Sequence, residues 1–199
     1  ICPLISRKKK PFEALDRVSL SIGSGMFGLV GPNGAGKTTL MRIICGILGP
    51  SRGKVSFNHL DMEEHREEFQ ALIGYLPQEF GTYENMTATQ FLDYQAMLKG
   101  IWNKGERDRI ASSALESVHL TENRDYKIHT FSGGMKQRIG IAQTLLKLPR
   151  ILVVDEPTAG LDPRERIRFR NLLSELAKDR IVIFSTHIIE DISSSCNKL

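Results

Sequence analysis

Residues 29–40 read Leu29-Val-Gly-Pro-Asn-Gly-Ala-Gly-Lys-Thr-Thr-Leu40 and fit G-x-x-x-x-G-K-[ST], with Gly31 opening the pattern and Gly36, Lys37 and Thr38 closing it. Ahead of the loop, Met26 to Val30 is a short apolar run of the right length for a buried strand. Behind it, Leu40, Ile43, Ile44 and Ile47 recur at helical spacing, so a helix is expected to start at the loop. A strand, a glycine loop and a helix N-terminus make an anion site, because successive N–H groups point inward and the helix dipole adds partial positive charge. Lys37 is expected to reach the β- and γ-phosphates of a nucleoside triphosphate, and the Thr38 hydroxyl to ligate Mg²⁺. A dinucleotide fold fits less well, since Gly31, Gly34 and Gly36 do not space as G-x-G-x-x-G.

The rest of the chain alternates strand and helix signals. Val18, Leu20 and Ile22 alternate with serines, which predicts a half-buried strand, and Lys54 to Phe57 predicts another. Residues 61–70 are charge-rich and expected at the surface, and the apolar segment Leu72 to Leu76 ends at Pro77-Gln78. Thr87 with Gln90 reads as a capping box opening a helix whose Phe91, Tyr94 and Leu98 share a face. A second helix carries Ile110, Ala111, Ala114, Leu115 and Val118, so residues from about 82 to about 147 read as a helical insert. Arg150 to Asp155 is an unbroken apolar run ending in an acid, the mark of a parallel strand covered on both faces. Asp162 as N-cap and Pro163 at the first helical position start a helix with Phe169, Leu172, Leu173 and Leu176 inward. Ile181 to Phe184 is one more buried strand. This order predicts an α/β fold with a mostly parallel sheet and ligands outside its carboxyl ends.

Bulk properties set outer bounds. With 199 residues, 41% apolar and 25% charged, the chain is the size of one ordinary domain with a real core. No apolar run approaches the ~18 residues of a membrane-spanning helix, and no signal-peptide pattern stands at the N-terminus. Cys2, Cys45 and Cys196 are too scattered for a metal cluster, and their odd number argues against a disulfide framework, so a reducing compartment is expected. Net charge is +4, and the one dense basic run, Arg7-Lys-Lys-Lys10, has the charge to touch nucleic acid or an anionic membrane surface but reads first as a solvated terminal strand or arm.

Two further groups carry chemistry. Asp155 and Glu156 are adjacent on an extended chain, point opposite ways and should have separate tasks. Asp155 suits the Mg²⁺ shell, and Glu156 suits a general base for an attacking water. In Phe131-Ser-Gly-Gly-Met-Lys-Gln-Arg138, Ser132 reads as the N-cap of a helix from about Met135 to Lys147, whose glycines expose N–H groups for a second phosphate.

Together these motifs resemble the nucleotide-binding domain of an ATP-binding-cassette (ABC) transporter over nearly the whole chain. Phe-Ser-Gly-Gly-Met is similar to the family's Leu-Ser-Gly-Gly-Gln signature, Tyr75-Leu-Pro-Gln78 to its glutamine loop, Ala159-Gly-Leu-Asp162 to its aspartate loop, and Ser185-Thr-His187 to its switch histidine. The resemblance implies one ABC domain with a P-loop NTPase core at about 1–81 and 148–199, a small antiparallel β subdomain and the inserted α-helical subdomain. It implies ATP and Mg²⁺ as ligands, with Gly31, Pro32, Asn33, Gly34, Ala35, Gly36, Lys37, Thr38 and Thr39 around the phosphates. Thr38, Gln78 and Asp155 would serve the metal, and Glu156, His187 and Gln78 the hydrolysis. Ser132, Gly133, Gly134 and Asp162 of one copy would reach ATP held by a second, so a complete site implies a homodimer or a paired second cassette.

The same resemblance implies a separate transmembrane permease as partner, with the chain peripheral on the cytoplasmic, inner face of the cell membrane. Tyr75 to Thr87 is similar to bacterial exporter-type ATPases, so export is expected over import. Three departures stand out: Met135 replaces the signature glutamine, Lys9 stands where an adenine-stacking aromatic is expected with Phe12 nearby as a substitute, and Leu199 comes before the family's further strands and helix, which predicts a truncated C-terminal edge. A soluble ATPase acting on ribosomes or DNA and a non-hydrolysing ATP-binding module are the alternatives. The absence of sustained heptads argues against the first, so no nucleic-acid partner is expected, and intact Glu156 and His187 argue against the second.

Overall fold

The computed structural model describes residues 13–188; Lys9, Phe12, the basic run at 7–10, Cys2 and Cys196 lie outside the described residues. Four parallel strands form the central sheet: β1 (Gly25–Val30), β4 (Ile73–Leu76), β5 (Ile151–Val154) and β6 (Ile181–Thr186), in the order β1-β6-β5-β4. Between β1 and β4 lie α1 (Lys37–Ile44), the short antiparallel pair β2 (Ser56–Phe57) and β3 (Leu60–Asp61), and α2 (Arg66–Ala71). After β4 come α3 (Ala88–Leu98), α4 (Lys104–Ser117) and α5 (Gly133–Leu145), and α6 (Pro163–Leu176) joins β5 to β6.

Strand alternation divides the interior in two. Leu76, Leu152, Val154, Val182 and Phe184 point into the larger core with the inward residues of α3 to α6, while Ile151, Val153 and Ile183 point the other way onto Met41 of α1 and Cys45 just past its end. All four residues of β5 are buried, as an apolar run in a strand covered on both faces requires. Phe169, Leu172, Leu173 and Leu176 of α6 are buried as expected, each contributing about 1.5–3 kcal/mol of transfer free energy.

The helix caps match the sequence expectations. Thr87 accepts from the Gln90 N–H at 3.2 Å while Gln90 accepts from the Thr87 N–H at 3.0 Å, completing the capping box. Asp162 caps α6 ahead of Pro163. Ser132 caps α5, which begins at Gly133 rather than about Met135. Other expectations are corrected. Residues 18–22 form no strand: no neighbouring strand runs beside them among the described residues, Val18 and Leu20 are exposed, and alternation without ladder bonds does not make a strand. The strand expected over Lys54 to Phe57 shrinks to Ser56–Phe57, paired across Asn58-His59. The buried face of α1 is turned by one residue, onto Met41, Ile44 and Cys45, and Ile47 is exposed because the helix ends at Ile44. Leu98 at the end of α3 is exposed instead of sharing the buried face of Phe91, and Met62 and Phe69 are buried within the charged segment 61–70.

Candidate nucleotide-binding site

Because the sheet is wholly parallel, the carboxyl ends of its strands share one edge, and β6 lies between the strand that feeds the glycine loop and the strand that ends in Asp155. The register sets Leu29 beside Ser185 and Val154 beside Phe184. Gly31, His187 and the Asp155-Glu156 pair therefore emerge side by side.

The loop folds as its residue types require. Gly36 precedes α1 with φ 88°, and a side chain there would meet the Ala14 carbonyl at 2.6 Å and Leu15 at 3.0 Å, so both backbone conformation and space demand glycine. A turn closes through Ala35 N–H donating to the Pro32 carbonyl at 3.2 Å. The first turn of α1 has no side-chain cap and no acidic residue, leaving Thr38, Thr39 and their neighbours' N–H groups to an anion. Lys37 reaches back over the loop, donating to the Gly31 carbonyl at 2.7 Å and the Pro32 carbonyl at 3.1 Å. Pro32, Asn33, Gly34 and Ala35 are exposed, as a ligand-facing loop should be.

The acidic pair takes two distinct settings. Ser185 donates to Asp155 Oδ1 at 2.6 Å and accepts the Glu156 N–H at 2.8 Å. Asp155 Oδ2 is buried with no hydrogen-bond partner, an orphaned carboxylate oxygen of the kind a cation satisfies. Glu156 has φ 48°, a conformation that costs a non-glycine residue roughly 1–3 kcal/mol and persists where the surroundings enforce it. One of its oxygens meets Lys37 Nζ at 3.2 Å and the other meets His187 Nδ1 at 2.6 Å, with Lys37 and Glu156 both almost fully buried. An ionised carboxylate only accepts, so Nδ1 carries the hydrogen. Beneath this cluster, burial and then the Asp155 charge push the Cys45 thiol up to about 12, which keeps it protonated and unreactive.

Lys37, Asp155, Glu156 and His187 are thus gathered at one point. Gln78 sits exposed in the bend after β4 on the same edge, without a hydrogen bond to Asp155 or Glu156. Ser132, Gly133, Gly134 and Asp162 form a second group, where the start of α5 meets the loop before α6. Ser132 accepts from Met135 N–H at 3.2 Å, and Asp162 Oδ1 accepts from the Arg164 and Glu165 N–H groups at 2.9 Å each. Sequence reasoning named Ser185 in a motif and gave it no task; only the pairing of β5 with β6 reveals that its hydroxyl spans both acids.

A strand-loop-helix phosphate cradle, a buried acid pair ending the next-but-one strand, and a glycine-started helix define an ATP-binding cassette. The family model described as ABC transporter matches residues 15–159, and the chain belongs to that family. Among its relatives, the uncharacterized ABC transporter ATP-binding protein YxlF of Bacillus subtilis is 38% identical over 188 residues, covering 94% of this chain and 62% of that protein. The bacitracin transport ATP-binding protein BcrA of Bacillus licheniformis is 37% identical over 90% of this chain and 58% of its own length, so the chain spans about 60% of such relatives. Among solved structures, cbiO1 of Clostridium perfringens, part of the ABC transporter complex cbiONQ, superposes with a TM-score of 0.82 at 28% identity, covering 92% of this chain and 76% of that one. The cassette MJ0796, in a dimeric post-hydrolysis state bound to ADP and Pi, gives 0.73 at 29% identity over 92% and 85%.

Proposed function

We propose that the chain binds and hydrolyses ATP as one cassette of a membrane transporter. The convergence of Lys37, Glu156 and His187 at the mouth of the glycine loop carries this reading, supported by membership of the family. Gly31 to Thr39 hold the phosphates through backbone N–H groups, and Lys37 takes the β- and γ-phosphate oxygens. Glu156 accepts a proton from the attacking water, a contribution of typically 10²–10⁴-fold. His187, held by Glu156, contacts the γ-phosphate. Thr38, Gln78 and Asp155 would hold Mg²⁺, which when bound neutralises charge on the phosphates; the unpartnered Asp155 Oδ2 fits that task. Positioning and charge stabilisation supply most of the acceleration.

Ser132, Gly133, Gly134 and Asp162 serve the nucleotide of a second cassette, a reading that the dimeric MJ0796 neighbour supports. Residues of about 82–147 form a helical subdomain inserted in a core of about 1–81 and 148–199. No helix among the described residues is long and apolar enough to cross a membrane. Translocation is assigned to a separate permease, with the cassette on its cytoplasmic face, a reading that membership of the ABC transporter family supports. Export is favoured by the Tyr75 to Thr87 stretch.

Two variants test the chemistry. Lys37→Ala should lose most ATP binding by fluorescent-nucleotide titration. Glu156→Gln should bind ATP yet release phosphate at least about 10²-fold more slowly. Near-normal phosphate release from Glu156→Gln would remove Glu156 as the base.

A further inference from the structure

The start of α5 is not held by its own helix alone. Gly134 is buried, and a methyl group placed on its α-carbon would overlap the Glu165 carboxylate, lying 2.9 Å from Cδ and 3.1 Å from Cγ. Glu165 comes from the first turn of α6, three residues after Asp162. Its carboxylate also stands 3.9 Å from Arg138, one turn along α5 from Gly134, and 2.7 Å from Arg168 on its own helix. The Arg138 and Glu165 side chains are only 18% and 16% exposed. Arg138 is further anchored by donating to the His119 carbonyl at 3.3 Å.

An ion pair this far withdrawn from solvent adds little net stability, because desolvation offsets most of the attraction. It does fix geometry. The carboxylate faces the positive end of α5 through Gly134, where only a hydrogen gives it room, and Arg138 balances its charge. Two first turns are thereby locked together: that of α5, carrying Ser132 and Gly133, and that of α6, capped by Asp162. Leu161 packs beside Gly133 at the same junction.

We propose that Glu165 is a positioning residue for ATP hydrolysis, clamping the first turn of α5 to that of α6 so that Ser132, Gly133 and Asp162 meet a partner cassette's nucleotide as one surface. This rests on the ATPase reading above. The clamp lies within one chain, shapes the surface offered to the partner cassette, and leaves the Lys37 loop of its own chain untouched.

The test uses the whole protein and compares wild type, Glu165→Ala, Glu165→Asp, Gly134→Ala and the Gly134→Ala/Glu165→Ala double variant. Fluorescent-ATP affinity at low protein concentration reads the Lys37 loop, and phosphate release against protein concentration reads the shared site. Glu165→Ala should keep its ATP affinity within a factor of about two, while the protein concentration for half-maximal hydrolysis rises about tenfold. Glu165→Asp should recover part of that loss. Gly134→Ala should cost more than Glu165→Ala, and the double variant should lose less than the two single losses combined, since the collision is gone. Wild-type hydrolysis curves for Glu165→Ala, or strictly additive losses in the double variant, would overturn the clamp while leaving the ATPase reading standing. A wild type that fails to bind ATP would sink both.

Discussion

The Ser185 hydroxyl is shared by two residues with different proposed tasks, donating to Asp155 and accepting from the backbone of Glu156. Ser185→Ala leaves the Asp155 oxygen and the Glu156 N–H buried without partners, a cost of about 1–3 kcal/mol. The urea midpoint should fall accordingly. Phosphate release should also slow while ATP affinity holds, because the left-handed turn at Glu156 loses its hydrogen bond. An unchanged midpoint together with unchanged turnover would show that the bridge is dispensable. At this scale the sequence exposed Lys37, Asp155 and Glu156 through type and spacing, and His187 through the resemblance to the family. It hid Ser185 and Glu165, whose importance comes from strand register and from packing against a glycine far away in the chain.

Elements whose signals are local were legible. The Thr87–Gln90 box, the Ser132 cap and the Asp162-Pro163 start need only a few neighbouring residues, and each is present. Residues 18–22 mislead because a strand is defined by its partner, and α1 misleads because its flanks carry apolar side chains on more than one face. The corner between α3 and α4 offers a test at the same scale. Buried Arg107 donates to Asp93 at 2.7 Å and to the Trp102 carbonyl at 2.7 Å, tying the middle of α3 and the connection after it to the start of α4. The hydrogen bond from Arg107 lowers the Asp93 carboxyl from its usual value, with Lys104 adding to it. A depressed folded value means that the stabilisation is complete above the unfolded value of about 3.9 and is lost as pH falls through and below it. Urea unfolding from neutral pH down to about 3 should therefore show a steeper stability loss in wild type than in Asp93→Asn. Parallel curves would remove Asp93 as an acid-sensitive tie.

For the molecule as a whole, the parallel sheet gathers Lys37, Asp155, Glu156 and His187 at the ends of β1, β5 and β6, and the starts of α5 and α6 bring together Ser132, Gly133, Gly134 and Asp162, the proposed two halves of a nucleotide site. On the proposed reading, two such halves complete each other between copies. Glu156→Gln with ATP and Mg²⁺ should accordingly elute as a dimer in size-exclusion chromatography and return to monomer when nucleotide is removed. Persistent monomer at protein concentrations well above those giving maximal hydrolysis would oppose the shared-site arrangement. The sequence made this division visible as two glycine motifs, but the junction of α5 with α6 through Glu165 required the packed structure.

The three contacts of Lys37 carry a last consequence. Its ammonium donates hydrogen bonds to the Gly31 and Pro32 carbonyls, and the Glu156 carboxylate stands beside it as an ion pair at 3.2 Å. On the proposed reading, an incoming triphosphate competes with these oxygens for the cation, and the Glu156 carboxylate is the one that a second anion repels. In that reading, substrate arrival and the unmasking of the proton acceptor are one event, and the cassette is armed only when there is something to cleave.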